Sequence, residues 1–233
     1  MSKWRNSEGF SLIELMIVVG VIAIIAAIAV PNLITSRKSA NESAVFAVLK
    51  NLASAQAQCQ AAVHIDGDRN GTGEFGYFAE LSGVRELRDS VASGSPQLMI
   101  PPTLSAGFSR IDDGTHFRSG YTFWMFLPGP GGAWVPEAPS GGAVIGSVNA
   151  QLAESIWFCY CWPNAYDVSG QRAYIVNQSG DVFYCRNAMQ RYSGSVRRPV
   201  PGTTGFLSAD SMMDGTLAAN TISADGERWL ITY

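Results

Sequence analysis

Residues 9–31 read GFSLIELMIVVGVIAIIAAIAVP, and this stretch decides the fold of the chain. Every residue over 15–30 is apolar or glycine, and roughly 20 such residues are enough for a helix that crosses a bilayer. One charge stands inside the stretch, the carboxylate of Glu14. A carboxylate at the centre of a membrane helix costs about 3 kcal/mol, so a partner of opposite charge is expected for Glu14.

The helical pattern continues past the apolar run. Apolar residues recur there every three or four positions, at Val45, Val48, Leu52, Ala55 and Cys59. This spacing is typical of an amphipathic helix. We therefore predict one helix over 10–63, apolar in its first half and amphipathic in its second. Pro31 lies inside it, and a proline within a helix favours a kink.

The N-terminal stretch resembles the class III signal of type IV prepilins and of type II secretion pseudopilins. The shared features are a short basic leader, Gly9 before Phe10, Glu14, the apolar run and Pro31. The resemblance implies that a prepilin peptidase cuts between Gly9 and Phe10 and methylates the new amine. It also implies that the apolar helices bundle in a filament, where Glu14 pairs with the Phe10 amine of a neighbouring subunit.

The resemblance divides the chain into a leader over 1–9, a long helix over 10–63 and a globular head over 64–233. Residues 10–30 would form the transmembrane segment of the precursor and the core of the filament. Many members of the family have a helix-breaking glycine at the position of Ala23. Gly20 is expected to serve in its place, with local melting of the helix near Pro31 in the filament.

The head contains stretches rich in aromatic and β-branched residues, which favour strands. They cover 121–128, 155–162 and a hairpin over 172–185, and a short helix is expected over 80–89. Residues 93–120 and the segment between the first two strands are predicted as loops, and the chain from 193 as largely irregular. We predict the α+β pilin fold, with the long helix packed on an antiparallel sheet of about four strands. The aromatic residues of the strands are expected to pack toward the helix as core.

Residues 66–74, DGDRNGTGE, match the opening of an EF-hand calcium loop. The acid expected at the twelfth position is replaced by Tyr77, and Glu80 is a substitute three residues later. The alternative is a polar turn whose side chains cap its own backbone. Calcium is the one cofactor that the sequence suggests. Its candidate ligands are Asp66, Asp68, Asn70, Thr72 through its backbone carbonyl, and Glu74.

An even number of cysteines in an exported domain predicts two disulfides. Cys159 and Cys161 share one face of a predicted strand, and Cys59 lies on the apolar stripe of the helix. The favoured pairing joins Cys59 to one of these two and Cys185 to the other, although the spacing does not choose between pairings. Reduced, buried thiols are the alternative, and Cys-x-Cys spacing argues against a structural zinc site.

Composition and motifs narrow the function further. Charged residues make up 15% of the chain and the net charge is -3, so no nucleic-acid partner is inferred. The sequence contains no zinc-protease signature, nucleophile elbow or P-loop, and we predict that the protein is not an enzyme.

We predict a structural subunit of a type IV pilus filament. The alternatives are a type II secretion pseudopilin, a minor pilin that acts as a binding or adhesion module, and a secreted enzyme cleaved after the apolar run. The partners implied by the resemblance are copies of the chain, the inner membrane, the prepilin peptidase, and an assembly ATPase with its platform protein. A single-pass inner-membrane precursor is expected, with the mature form in an extracellular pilus or a periplasmic pseudopilus.

Overall fold

The computed structural model describes residues 10–232. Its longest element is α1, which runs from Leu12 to Ala61 over 50 residues, about 75 Å at 1.5 Å per residue. The first half of α1 stands clear of the head, while the second half packs on a sheet. The residues of α1 that are buried there are Val45, Leu49, Leu52, Ala55, Gln56 and Cys59. The predicted long helix is thus confirmed, with each end two residues inside the predicted bounds.

The helix continues through Pro31 without interruption. Proline cannot donate a backbone hydrogen bond to the preceding turn. Two hydroxyls lie one turn later: Thr35 Oγ1 donates to the Pro31 carbonyl at 3.1 Å, and Ser36 Oγ donates to the Asn32 carbonyl at 2.9 Å. Both bonds follow the i to i−4 pattern in which a Ser or Thr side chain shares a helix carbonyl.

Shorter helices follow α1. They are α2 (Phe78–Leu81), α3 (Arg88–Ala92) and α4 (Ala150–Ala153), with 3-10 turns at Ala106–Phe108 and Pro130–Gly132. The single helix predicted over 80–89 is wrong, because α2 ends and α3 begins within that range. Gly83, at φ +68°, follows the last turn of α2. A left-handed glycine at this position closes a helix rather than continuing it.

Residues 10–232 form nine strands in one sheet, and the named strands pair antiparallel in the order β1-β2-β3-β5-β6-β7-β9-β8, with β4 also on β3. The α+β class is confirmed, but the prediction of about four strands is too low. The predicted strands correspond to β3, β5, β6 and β7. Of the others, β1, β4 and β8 have two or three residues, too few for alternation to show in sequence, while β2 and β9 have four and five. The bounds are β1 Ile111–Asp112, β2 Thr115–Arg118, β3 Tyr121–Pro128, β4 Trp134–Pro136, β5 Phe158–Pro163, β6 Ala173–Asn177, β7 Val182–Cys185, β8 Thr221–Ile222 and β9 Arg228–Thr232.

The sheet carries an apolar core on each face. One core lies against α1, and the other is closed by the irregular chain between β7 and β9, through residues such as Tyr192, Phe206 and Met213. The expectation that the strand aromatics face the helix is therefore wrong for five buried aromatics of the predicted strands, which lie in the second core: Phe126, Phe158, Tyr160, Trp162 and Phe183. Every residue of β5 is buried, as expected of a strand covered on both faces.

Polar contacts fix the point where α1 leaves the head. Lys38 Nζ lies 2.7 Å from Asp167 Oδ1, and Asn41 Nδ2 donates to the Ser169 carbonyl at 2.8 Å. Glu42 lies one turn after Lys38, and its Oε1 accepts the backbone N–H of Gln171 at 3.0 Å. These bonds join α1 to the turn that precedes β6, so the exposed half of the helix begins just N-terminal to Lys38.

Candidate functional site

The N-terminal half of α1 is an apolar rod with no cover from its own head. It is long and apolar enough to cross a membrane. No residue of its most apolar part is buried within the described structure. An uncovered apolar surface of this length is not stable in water and marks a contact with lipid or protein. Its large exposed side chains are Phe10, Leu12, Ile13, Leu15, Met16, Ile17, Val18, Val19, Val21, Ile22, Ile24, Ile25, Ile28, Val30, Leu33 and Ile34.

Glu14 lies at the tip of this rod and caps the helix. Its Oε2 accepts the backbone N–H of Ser11, the N-cap residue, at 2.9 Å. A carboxylate in the first turn satisfies a free amide and interacts favourably with the positive end of the helix dipole. Ser11 was not predicted as a capping residue, although the spacing Ser-x-x-Glu is the signature of a capping box. Part of the cost of Glu14 is therefore offset within its own chain.

The other residues predicted for processing and assembly lie along the same rod. Phe10 is 78% exposed and directly precedes Ser11. Gly9, the other side of the predicted cleavage site, lies outside the described residues. Gly20 is helical and has open space around its Cα, and Pro31 is helical as well. The helix of this single chain is thus unbroken at both positions, and the melting expected in a filament stays a prediction.

The predicted calcium loop folds as a polar turn closed by its own backbone. Asp66 Oδ1 and Oδ2 accept the N–H groups of Asn70 and Gly71 at 3.1 and 3.0 Å, and Asp68 Oδ1 accepts the Asn70 N–H at 3.2 Å. Asn70 Oδ1 accepts the N–H of Thr72 at 2.7 Å. This is the capping pattern of Asx turns. The candidate oxygens therefore point at amides of the loop and not at a common centre.

Glu74, the last candidate ligand, is bonded to the loop through one oxygen, because its Oε1 accepts the Gly67 N–H. It is 1% exposed, and its Oε2 lies 2.7 Å from Arg88 Nη2. Among residues 10–232, no group of three or more acidic, histidine or cysteine side chains is placed to hold a metal. The residues do not fit a calcium cage in this conformation. Calcium binding stays a prediction.

Arg88 instead organises a buried ionic cluster beneath the loop. Besides Glu74, its Nη1 lies 2.8 Å from Glu80 Oε2, and its side chain is only 9% exposed. Burial raises the pKa of Glu80, and the charge of Arg88 opposes that rise. Glu80 also accepts the backbone N–H of Tyr77 at 2.9 Å. Glu80, proposed as a substitute calcium ligand, is therefore committed to Arg88 and to the start of α2.

A third buried carboxylate, Glu137, also bonds α2. Its Oε1 accepts the N–H groups of Ala79 and Gly142, each at 2.9 Å, while its Oε2 has no partner among the described residues. Burial raises the pKa of Glu137 to about 8. This carboxyl is therefore held largely in its protonated form at neutral pH.

All four cysteines are free and buried in the structure, which differs from the two predicted disulfides. Cys159 and Cys161 lie in the core on the α1 side of the sheet, together with Cys59, whereas Cys185 lies in the core on the opposite face. The sheet itself thus separates Cys185 from the other three, so its predicted bond to Cys159 or Cys161 is wrong. Burial raises the pKa of Cys59 to about 12, which favours the unreactive thiol.

Comparisons with known proteins identify relatives of the chain. Residues 4–30 match the family model of the prokaryotic N-terminal methylation motif. The chain is 53% identical over 47 residues to the type IV wide pilus major component PilA4 of Thermus thermophilus. That match covers 20% of this chain and 36% of the Thermus protein.

A second relative matches through the head as well. The chain is 30% identical over 180 residues to the type IV major pilin protein PilA of Myxococcus xanthus, which covers 75% of this chain and 76% of that protein. No solved structure matches the chain. The similarity thus extends from the apolar rod into the sheet that the rod carries.

Proposed function

Because this chain belongs to the type IV pilin family, we propose that it is a structural subunit of a type IV pilus, assembled through the apolar half of α1. Both relatives are named as major components of type IV pili. This favours a pilus over the pseudopilus of a secretion system, and a subunit present in many copies over a minor adhesive one. It also favours a structural role over an enzymatic one.

The observation that carries the proposal is the uncovered apolar rod of α1. Lipid covers such a surface in a membrane-held precursor, and identical helices cover it in a filament. Because the head occupies only one end of α1, subunits that pack their rods side by side also bring their heads to the outside. A contact between unlike surfaces of identical subunits generates an open fibre when its rotation does not close a ring.

Glu14 supplies the register of that packing. Only its Oε2 is used by Ser11 within the described residues, so Oε1 remains free for a further donor. Cleavage between Gly9 and Phe10 would create a charged amine next to the cap, and the exposed position of Phe10 leaves that amine open to a neighbour. A rod packed out of register leaves both charges unpaired in an apolar bundle, which is strongly unfavourable.

The remaining partners follow from this assembly. A prepilin peptidase would process the Gly9–Phe10 bond at the inner membrane, where the apolar rod anchors the precursor. An assembly ATPase and a platform protein would extract the subunit from the bilayer, since leaving lipid is a step that the chain cannot drive alone. The mature form would then lie in the extracellular pilus.

The test is the replacement of Glu14 by glutamine in the full chain, expressed in the native cell. Glu14→Gln removes the charge but keeps the shape and the acceptor for the Ser11 amide. Sheared filament is expected to fall by at least about ten-fold, the size of one lost charge-assisted contact, while the membrane pool is retained. Glu86→Gln, at an exposed position of the head, is the matched control and should assemble normally. Normal filaments from Glu14→Gln would contradict the proposal.

A further inference from the structure

Two arginines line a cleft on the outer side of the head, which we name the proximal cleft. It has a volume of about 500 Å³ and is lined by residues of the turns after β5 and after β7. Arg191 and Arg197 are both exposed, and Tyr166 lies beneath Arg191, whose guanidinium is 6.0 Å from the ring centroid. The other residues that line the cleft are Asn164, Ser193, Gly194, Ser195 and Val196.

The charge of the proximal cleft is uncompensated. Within residues 10–232, neither Arg191 nor Arg197 makes an ion pair, and no carboxylate lines the cleft. The adjacent Arg198 differs, because its Nη2 lies 2.8 Å from Asp113 Oδ2. The nearby Asp167 is likewise engaged by Lys38. Two guanidinium groups without a counter-charge in one cleft can bind carboxylates through paired hydrogen bonds.

A matching acidic surface lies at the other end of the head, on residues 66–70 and Glu154, which we name the distal loop. Asp66, Asp68 and Glu154 all accept hydrogen bonds from Asn70, and none of the three makes an ion pair among the described residues. Arg69 is the one basic residue of this surface. Its net charge is therefore negative, while that of the proximal cleft is positive.

The two surfaces lie at opposite ends of the head along α1. The proximal cleft is joined to the rod end of the head, because Gly194 donates to the Pro163 carbonyl and Asn164 to the Gly120 carbonyl, next to Asn41. The distal loop is joined to the last turn of α1, where Gln60 Nε2 donates to the Glu154 carbonyl. The 19 residues from Asn41 to Gln60 set the two surfaces about 30 Å apart along the helix axis.

We propose that the proximal cleft of one subunit receives the distal loop of the subunit below it in the filament. The inference rests on the proposed function, since parallel subunits that stack along α1 bring unlike ends of successive heads together. Asp68 is an exposed carboxylate of the distal loop, and Arg197 is an exposed guanidinium of the proximal cleft. Their contact is head-to-tail, and such a contact builds a filament when successive subunits do not close into a ring. A translation of about 30 Å, nearly the length of the apolar rod, places the rod of the upper subunit beside the head half of α1 below.

Charge reversal in the full chain tests the contact. Arg197→Glu and Asp68→Arg are each expected to lower the yield of sheared filament by at least about ten-fold, since each places like charges at the contact. The double variant restores attraction with the signs exchanged and should return the yield to within about two-fold of the native chain. Arg191→Glu is a second variant of the cleft and should behave as Arg197→Glu does. Arg228→Glu, exposed on β9, is the matched control and should leave the yield unchanged.

The outcomes separate this inference from the proposed function. If the native chain forms filaments and the double variant does not recover, the contact between copies is refuted and the pilin function stands. If Arg197→Glu assembles normally but its filaments lose binding of a soluble polyanion such as polyglutamate, the cleft binds an external ligand and the inference is overturned. If the native chain forms no filaments at all, the proposed function is refuted, and the inference that rests on it is refuted with it. The melting temperature of each variant in detergent must equal that of the native chain, which excludes misfolding as the cause.

Discussion

Replacement of Arg88 by methionine should strongly destabilise the head. Arg88 forms two ion pairs, at 2.7 Å to Glu74 and 2.8 Å to Glu80, whose side chains are 1% and 0% exposed. Removing the cation leaves two buried carboxylates without a counter-charge, and breaking a buried pair in this way costs about 3–5 kcal/mol. For a chain of this size, each kcal/mol lowers the melting temperature by about 2–4 °C, so a fall of about 6–20 °C is expected.

The assay is thermal unfolding of the full chain in non-ionic detergent, followed by tryptophan fluorescence. Arg85→Met is the control, because Arg85 is exposed and bonds only to the Ser140 carbonyl in the described structure; its loss should cost less than about 1 kcal/mol. Adding Glu74→Gln and Glu80→Gln to Arg88→Met should recover at least about 2 kcal/mol, since the stranded charges are gone and the acceptors remain.

The loss of unfolding free energy caused by Arg88→Met, here called the deficit, should also depend on pH. Burial already raises the pKa of Glu80, and loss of the cation raises it further. A folded-state pKa above the unfolded value makes folding weaker as pH rises, so the deficit is smaller at pH 5 than at pH 8. A deficit below about 1 kcal/mol at pH 8, or a triple variant no more stable than the single one, would refute the reasoning.

Three further outcomes follow from the contacts of the head. Burial raises the pKa of Glu137 from 4.5 to about 8. The native chain should therefore lose stability relative to Glu137→Gln as the pH rises from about 4.5 through 8. The measurement is the difference between the two melting temperatures, and a difference that does not change with pH would contradict this. Protein purified without reductant and then unfolded should take up four alkyl groups by mass, because all four cysteines are free; uptake of none would establish disulfides. A Cβ on Gly170 would lie 2.0 Å from the Tyr121 hydroxyl. Gly170→Ala should therefore lower the free energy of unfolding by about 1–3 kcal/mol. Gly94 has open space around it, so Gly94→Asn should be nearly neutral in the same melting assay.

The long helix and the central strands could be predicted because their signals are periodic and local. The stripe through Val45 and Leu52 fixed the amphipathic half of α1, and dense aromatic and β-branched residues marked β3 and β5. The hairpin of β6 and β7 was indicated by the turn before Gly180, which has φ +74°. Each of these features is encoded by residues close together in sequence, so one sequence is enough to predict it.

The second core could not be predicted, because the segment that closes it shows no periodic spacing of apolar residues. Tyr192, Phe206 and Met213 come from irregular chain and reach the sheet only through its tertiary path. The face of Cys185 depends on the pairing of Ala173 with Cys185 in β6 and β7. A shift of that register by one residue would reverse the face, and composition does not reveal it.

The calcium-like motif is compatible with two local structures. The spacing of Asp66, Asp68 and Asn70 suits both a calcium loop and an Asx turn, and the sequence does not distinguish them. In this structure Glu74 bridges Gly67 of the loop and Arg88, which is 14 residues away in sequence, and no local pattern reveals that contact. At the rod, by contrast, the spacing of Ser11 and Glu14 was a local signal that could have revealed the cap.

The central claim is that α1 from Phe10 onward is the assembly element of a pilus subunit. The most direct test is the intact mass of the protein in filaments sheared from the native cell. The account predicts a chain that lacks residues 1–9 and carries one added methyl group at Phe10. A mature chain that begins after Pro31 would contradict it, because Phe10, Glu14 and the apolar rod would then have been removed before assembly.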